Sequence, residues 1–124
     1  MNRRRRCVLV VDDEFVIAAS LRMQIEAMGI EVCGMAATAH EAIALAEKHR
    51  PSVVVMDVRL KGREDGVDAA SQIRSSIGST VIFLTGSREP AMIERIEAAC
   101  PANILFKPIL SQQLEAAIEE AFRI

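Results

Sequence analysis

The sequence predicts an α/β fold in which one open parallel sheet is covered by helices on both faces. Short runs of consecutive apolar residues recur along the chain, and each run is followed by a segment whose apolar residues have helical spacing. Continuous apolar runs suit strands that are buried on both faces, as they are in parallel sheets. The 124 residues contain five such strand–helix units, whereas a closed barrel needs eight units and about twice the length. We therefore expect one doubly wound domain.

The first two units occupy the N-terminal part of the chain. The apolar run 7–11 predicts the first strand, and Gly29 is well placed to end the helix that follows it. The apolar residues of that helix stand four, four and three positions apart, at Ile17, Leu21, Ile25 and Met28. A second, weaker strand is predicted at 30–37. Thr38 and Glu41 have the spacing of a capping box and predict the start of the second helix.

The remaining three units follow the same pattern. The third, fourth and fifth strands are predicted at 52–56, 80–84 and 103–106. Their helices carry apolar residues at helical spacing: Val67, Ala70, Ile73 and Ile77; Met92, Ile93 and Ile96; and Leu110, Leu114, Ile118 and Phe122. Pro51 ends the second helix, and Pro90 is compatible with the first turn of the fourth.

Composition excludes several classes of function. With 51% hydrophobic and 26% charged residues, the chain is too apolar to be disordered. Its net charge of −2 gives no general electrostatic footprint for nucleic acid, and four Phe without Trp or Tyr leave few rings for base stacking. No apolar run exceeds five residues, so we expect no membrane span. We predict a cytoplasmic protein that binds neither nucleic acid nor membranes.

The N terminus and the three cysteines are expected to be chemically passive. The arginine run 3–6 is followed by only five apolar residues before Asp12, too few for a signal peptide. We expect residues 1–5 to form a frayed, basic, solubilising tail and 6–122 to form the domain core. The cysteines are Cys7, Cys33 and Cys100. They lack metal-ligand spacing, so reduced, buried thiols are expected.

Polar residues with possible chemical roles follow four of the five predicted strands. In open parallel sheets, ligands bind outside the carboxyl ends of the strands, so a functional site is expected there. These positions hold Asp12, Asp13 and Glu14 after the first strand, Asp57 after the third, Thr85 after the fourth and Lys107 after the fifth. Carboxylates, a hydroxyl and an ammonium group are therefore predicted to meet at one edge of the sheet.

Taken singly, each of these residues has an ordinary structural explanation. Asp13 and Glu14 suit the N terminus of a helix, and Asp57 suits a turn. Thr85 suits the end of a strand, and Lys107 is equally well explained as a solvated lysine. The combination is harder to explain, because two carboxylates ~5 Å apart repel by about 3 kcal/mol at an effective dielectric constant of about 20. A divalent cation is expected to compensate, and Mg²⁺ fits oxygen ligands without His or Cys.

Such a site suits phosphoryl transfer. A phosphoryl group can be held between the metal and the ammonium group while a carboxylate attacks phosphorus and forms an acyl phosphate. The Thr85 hydroxyl can donate to a phosphoryl oxygen only after that oxygen has arrived. It can therefore report the reaction as well as assist it.

From about Arg6 to Phe122, the chain resembles the receiver domain of two-component response regulators. The motifs that carry the resemblance are Val-Val-Asp12-Asp13-Glu14, Val-Met-Asp57-Val, Asp65-Gly66, Leu84-Thr85-Gly86 and Phe106-Lys107-Pro108. The resemblance implies a flavodoxin-like sheet of strand order 2-1-3-4-5. It also implies a signalling protein rather than an enzyme.

The resemblance further implies a role for each acidic residue of the site. Asp57 would accept a phosphoryl group from a histidine kinase or a phosphotransfer protein. Asp13 and Asp57 would ligate Mg²⁺ directly, together with the backbone carbonyl of Arg59, and Asp12 would act through water. Apart from the resemblance, the position of Arg59 two residues past the acceptor leaves two expectations open: its side chain steers or blocks the water that removes the phosphoryl group, or it is simply solvated.

Switching and output are implied in the same way. Thr85 would be the switch hydroxyl, and Lys107 would pair with the phosphoryl group. The Lys107–Pro108 peptide bond would be cis. A downstream protein would bind the surface formed by the fourth helix, the fifth strand and the fifth helix.

Several positions depart from the family pattern. The segment 57–66 is one residue longer than usual and has Lys61 in place of proline, so we expect it to be more mobile. The switch aromatic usually stands three residues before the conserved lysine, and Ile104 occupies that position. Phe106 lies on the same strand face, and we expect it to be a core ring rather than a replacement. Coupling is then expected to run through the loop 86–89.

The predicted function is a stand-alone receiver, monomeric or weakly dimeric, that signals through protein contacts because no DNA-binding helices follow Phe122. One alternative is a phosphate sink or phosphorelay shuttle without conformational output, which the missing switch aromatic favours. A remote alternative is an aspartate-nucleophile phosphatase. Those enzymes carry Asp-x-Asp after the first strand, where this chain has Asp12-Asp13-Glu14, and they need room for a cap domain.

Overall fold

Ten alternating strands and helices form one five-stranded sheet with helices on both faces in the computed structural model, which describes residues 3–123. The strands are β1 (Arg5–Val11), β2 (Glu31–Ala36), β3 (Pro51–Asp57), β4 (Thr80–Thr85) and β5 (Asn103–Phe106). The helices are α1 (Phe15–Ala27), α2 (Ala39–His49), α3 (Gly66–Ser76), α4 (Pro90–Ala98) and α5 (Ser111–Phe122). All strand pairs are parallel, in the order β2-β1-β3-β4-β5. The predicted fold class and strand order are confirmed.

The sheet separates two hydrophobic clusters, because successive side chains of a strand point to opposite faces. α1 and α5 pack on one face, against residues such as Val55 and Ile82. α2, α3 and α4 pack on the other, against residues such as Met56 and Phe83. No helix between residues 3 and 123 has the length and apolarity needed to cross a membrane. With both faces covered, the carboxyl edge is where the polar strand-end residues can gather.

The second helix begins at the predicted position, with one difference in its cap. The Thr38 hydroxyl accepts a hydrogen bond from the Glu41 N–H at 3.0 Å. The Glu41 carboxylate accepts from the Ala37 N–H at 3.0 Å, rather than from that of Thr38. In a capping box, the Glu41 carboxylate would accept from the N–H of the capping residue itself. Here it accepts from the residue before the cap.

The prediction that Leu110 packs with α5 is wrong. Its side chain is 63% exposed, whereas Leu114 and Ile118 are buried. Leu110 lies in extended backbone directly before the helix. It is therefore outside the helical face that those two residues continue.

The predicted burial of the cysteines is correct only for Cys7. Cys33 is half-buried, and burial together with the neighbouring Cys7 thiol raises its pKa to about 12. Cys100 is exposed, because it lies in the turn after α4 with a φ of 53°. All three thiols are free.

The prediction of a frayed tail over 1–5 is wrong at Arg5, and residues 1 and 2 lie outside the described part of the chain. Arg5 already belongs to β1, where it pairs with β3 and forms an ion pair with Glu31 at 3.0 Å. Arg4 donates to a backbone carbonyl at 2.9 Å. The Arg6 guanidinium lies 4.4 Å from the centre of the Phe122 ring. These contacts extend the strand beyond its apolar run.

Candidate functional site

Three carboxylates meet at the carboxyl edge of the sheet. Asp12 and Asp13 directly follow β1, and Asp57 is the last residue of the neighbouring strand β3. One carboxylate oxygen of each lies within 4.8 Å of the other two. Asp12 and Asp57 are buried, and Asp13 is partly exposed. The strand order thus brings together acids that are 44 positions apart in the sequence (57 − 13).

One oxygen of this cluster lacks a hydrogen-bond partner. Asp12 Oδ1 accepts a hydrogen bond from the Glu14 N–H at 2.9 Å. Asp12 Oδ2 is buried and has no partner within the described residues. A buried oxygen left in this state costs free energy unless a cation or a water satisfies it. The cluster consists of three carboxylates, which are hard oxygen donors, and it contains neither His nor Cys. Together with the unpartnered oxygen, this donor set fits a Mg²⁺ site.

Asp57 lies between the other carboxylates of the site and the Lys107 ammonium group. Its side chain is 5% exposed and accepts a hydrogen bond from Lys107 Nζ at 3.2 Å. Burial raises the pKa of Asp57 to about 6, and the Asp12 carboxylate adds to this. Lys107 and the backbone N–H of Arg59 act in the opposite direction without cancelling the effect. The carboxylate is ionised at neutral pH, at a cost that a bound cation would remove.

The start of α3 lies directly against the backbone of Asp57. The Gly66 N–H donates to the Val58 carbonyl at 2.7 Å. A Cβ atom at position 66 would stand 2.0 Å from the Asp57 carbonyl oxygen. Only glycine therefore fits at this position. The 57–66 segment is also fixed where Lys61 pairs with Thr38 in an isolated β-bridge.

A clamp between α3 and α4 lies beside this contact. Asp65 caps α3 by accepting from two backbone N–H groups, and the Asp68 side chain accepts from the Asp65 N–H at 3.0 Å. Arg95 of α4 bonds both carboxylates, at 2.7 Å to Asp65 and 3.2 Å to Asp68. Partial burial raises the pKa of Asp65, but Arg95 and the Asp68 backbone outweigh it and the net direction is downward. Sequence reasoning missed Arg95, because nothing in its local pattern indicates a partner on another helix.

Thr85 is buried at the end of β4 and its hydroxyl is engaged by the following loop. Thr85 Oγ1 accepts from the Ser87 N–H at 3.0 Å and lies 3.5 Å from the Ser87 carbonyl oxygen. Ser87 Oγ in turn accepts from the Glu89 N–H, directly before α4, at 3.2 Å. The switch candidate is therefore connected to α4 through one serine, which the sequence analysis did not identify individually.

Phe106 is not the core ring that the sequence analysis predicts. Its side chain is half-buried, and the Arg88 guanidinium lies 4.1 Å from the ring centre. Such an exposed cation–π contact stabilises by about 0.5–1 kcal/mol. Ile104 is half-buried against the cluster that α2, α3 and α4 cover. The Lys107–Pro108 peptide bond is cis, as the resemblance implies.

An open cleft of about 800 Å³ lies above these residues. Asp13, Asp57, Thr85 and Lys107 line it, as do the cationic side chains of Arg59 and Arg88. The cleft can hold a hard cation on its carboxylates and an anionic group between that cation and Lys107. It also offers a buried carboxylate as a nucleophile and a hydroxyl as a hydrogen-bond donor.

Comparisons with known proteins give a consistent picture. The family model described as the response regulator receiver domain matches residues 8–119. The transcriptional regulatory protein PdtaR of Mycobacterium tuberculosis is 38% identical over 116 residues, which cover 94% of this chain and 56% of that protein. The phyllosphere-induced regulator PhyR of Methylorubrum extorquens is 33% identical over 116 residues, covering 92% and 42%. The chain spans about half the length of these curated relatives.

A solved structure agrees with these matches. The signal receiver domain of a modulated diguanylate cyclase from Desulfovibrio desulfuricans G20 superposes with a TM-score of 0.88 at 33% sequence identity. The match covers 94% of this chain and 92% of that one.

Proposed function

The chain belongs to the response regulator receiver domain family of two-component signalling, and from that membership we propose that Asp57 accepts a phosphoryl group. The donor is a histidine kinase or a phosphotransfer protein, and the phosphorylated domain signals through protein contacts. Members of the family are typically signalling proteins without enzymatic activity. The observation that carries the proposal is the meeting of Asp12, Asp13 and Asp57 with Lys107 in one cleft.

The transfer balances as a displacement at phosphorus. A carboxylate oxygen of Asp57 forms the new O–P bond while the P–N bond of the donor phosphohistidine breaks, and the imidazole leaves as a base that takes up a proton. Lys107 then pairs with the phosphoryl group, and the Thr85 hydroxyl donates to one of its oxygens. The product is an acyl phosphate on Asp57.

We propose Mg²⁺ as the cofactor of this step. Asp13, Asp57 and the Arg59 carbonyl are the proposed direct ligands, and Asp12 acts through a water. The orphaned Asp12 Oδ2 supports this assignment, because a metal-bound water would donate to it. When bound, the ion neutralises charge on the transferring oxygens.

Two apolar surfaces support docking of a phosphodonor at this edge. Phe15 and Val16, directly after the acidic residues, are 73% and 78% exposed, and Leu110, shortly after Lys107, is 63% exposed. Large exposed apolar side chains beside a reactive site are typical of protein-binding surfaces. We propose that the donor protein contacts them when it reaches Asp57.

The function predicts a simple mass change. Incubation with acetyl phosphate and Mg²⁺ is expected to add about 80 Da, one phosphoryl group, to the wild-type chain but nothing to Asp57→Ala. Intact mass spectrometry measures this. Glu64→Ala, which removes an exposed carboxylate of the neighbouring loop, is the matched control and is expected to gain the same mass as wild type. Absence of a mass gain with acetyl phosphate and with a phosphohistidine donor contradicts the proposal.

The metal assignment predicts a pH-dependent gain in stability. At about 100 times its dissociation constant, Mg²⁺ is expected to raise the free energy of unfolding by about 2.7 kcal/mol. Asp13→Asn is expected to lose most of this gain, and Glu14→Gln, an exposed neighbour, is expected to keep it. Because the Asp57 pKa is about 6 without metal, protons compete with Mg²⁺ below that pH, so its affinity falls as the pH is lowered. Urea denaturation at pH 5–8 tests this, and an equal gain in wild type and Asp13→Asn contradicts it.

A phosphate sink or shuttle is the second candidate, and Ile104 is the residue that favours it, since no switch aromatic occupies that position. The two functions differ in one measurable property. A signalling receiver changes its affinity for a non-kinase partner on phosphorylation, whereas a sink does not.

A further inference from the structure

Phe106 lies beside the site, and its position suits a role in switching. Phe106 is the register partner of Thr85 on the adjacent strand, and it directly precedes Lys107. By strand alternation it lies on the same sheet face as Ile104, the face that α4 covers. The ring is half-buried and belongs to neither core cluster. The two core clusters therefore do not account for all the packing of this ring.

The Arg88 guanidinium covers that ring. Its central carbon lies 4.1 Å from the ring centre, and Arg88 forms no ion pair with any carboxylate among residues 3–123. The Arg88 charge is therefore stabilised by the face of the Phe106 ring and by solvent. Arg88 also lines the cleft that contains Asp57, so an anion in the cleft would compete with the ring for the guanidinium.

The backbone next to Arg88 is held by the hydroxyl that a phosphoryl group would recruit. Thr85 Oγ1 accepts from the Ser87 N–H and approaches the Ser87 carbonyl. A hydroxyl has a single proton, so donating it to a phosphoryl oxygen ends any donation to Ser87. Ser87 in turn accepts from the Glu89 N–H before α4. A shift of Thr85 therefore moves the loop 86–89 at both of its ends.

We propose that Arg88 stacked on Phe106 is the closed position of a latch, and that phosphorylation of Asp57 opens it. This inference rests on the proposed function. In the open position the Thr85 hydroxyl donates to the phosphoryl group instead of the Ser87 carbonyl, and the Arg88 guanidinium turns from the ring toward the new negative charge. The exposed ring face and the altered start of α4 are then what a downstream protein recognises. Ile104 does not need to move.

The test uses NMR of the full chain with beryllofluoride and Mg²⁺ as the phosphoryl mimic. The chain has only four Phe residues, and comparison with Phe106→Leu assigns the Phe106 ring signals. In wild type, these signals and the amides of 86–89 are expected to shift together. In Arg88→Ala, the ring signals are expected to be displaced already in the free protein and to respond about fivefold less to the mimic.

Three further variants make the result specific. Arg88→Lys retains a cation for the ring and is expected to restore part of the response. Arg74→Ala removes an exposed arginine of α3 and is expected to respond like wild type. Thr85→Val keeps the side-chain shape without the hydroxyl, and its loop signals are expected to shift less than those of wild type on adding the mimic.

Two outcomes overturn the latch, and they are distinguishable. If acetyl phosphate adds one phosphoryl group to Asp57 while the Phe106 ring signals stay in place, or respond equally in Arg88→Ala, the latch is wrong and the acceptor function stands. If neither the mass nor any NMR signal changes, the acceptor function fails, and the latch fails with it.

Discussion

Replacing Gly66 with alanine is expected to lower the free energy of unfolding by about 3 kcal/mol or more. The added Cβ would stand 2.0 Å from the Asp57 carbonyl oxygen and 3.0 Å from Met56 Cγ. Helix α3 has no easy retreat, because the Gly66 N–H donates to the Val58 carbonyl at 2.7 Å and would lose that bond. Urea denaturation followed by circular dichroism measures the change.

Gly86 is the matched control for this substitution. It also lies at the site, yet a Cβ atom there would meet nothing within 4 Å, and its φ is not in the left-handed region. Gly86→Ala is therefore expected to change stability by less than about 0.5 kcal/mol. Equal losses in the two variants would show that the close approach of α3 to Asp57 is not what requires glycine at position 66.

The fold and the approximate location of the site could be predicted because both depend on patterns within short segments. The run 52–56 is apolar without interruption, so it indicates a buried strand, and the acid that follows it must then lie at the carboxyl edge. Parallel pairing places β1 beside β3. The spacing of apolar residues was less reliable at the ends of elements, and Leu110 failed because it lies one residue before its helix.

The contacts between loops could not be predicted in this way. Arg95 bonds Asp65 across 30 positions of sequence (95 − 65), and the geometry depends on how two helices pack. Arg88 reaches Phe106 across 18 positions of sequence (106 − 88), from the loop in which the Ser87 N–H donates to Thr85 Oγ1. No periodicity or motif indicates either pair, since each depends on side-chain directions that the folded backbone determines.

Asp57→Asn is expected to stabilise the metal-free protein at neutral pH by about 1–3 kcal/mol. The folded-state pKa of about 6 lies above the ordinary value of 3.8. The carboxyl group therefore favours the folded state most below about pH 3.8, and this contribution is lost as the pH rises through about 6. Asparagine has nearly the same shape and no charge to desolvate. The substitution also removes the attraction between Asp57 and Lys107 Nζ, which lies 3.2 Å away. The gain in stability is therefore expected to stay below the top of this range.

The sign of the pH dependence identifies the cause. Urea denaturation in metal-free buffer from pH 4 to pH 8 should show the advantage of Asp57→Asn growing as the pH rises. Asp65→Asn provides the opposite case, because Arg95 and the Asp68 backbone outweigh burial and hold the pKa of Asp65 below its ordinary value. Asparagine is also a good helix-capping residue, so the cap of α3 is kept. Asp65→Asn should be less stable than wild type at neutral pH, and this difference should shrink as the pH is lowered. A pH-independent difference for Asp57→Asn would exclude its charge as the cause.

Mg²⁺ should reverse the order of the two proteins. The proposed site binds the ion to the folded wild type through a carboxylate that the asparagine variant lacks, so added Mg²⁺ is expected to stabilise wild type more. If this order is observed, the charge that destabilises the metal-free fold is the same charge that we propose holds the cofactor and attacks phosphorus. The proposed chemistry requires a carboxylate of this kind, although its buried charge destabilises the fold. A carboxylate stabilised by several hydrogen bonds would be a weaker ligand and a weaker nucleophile.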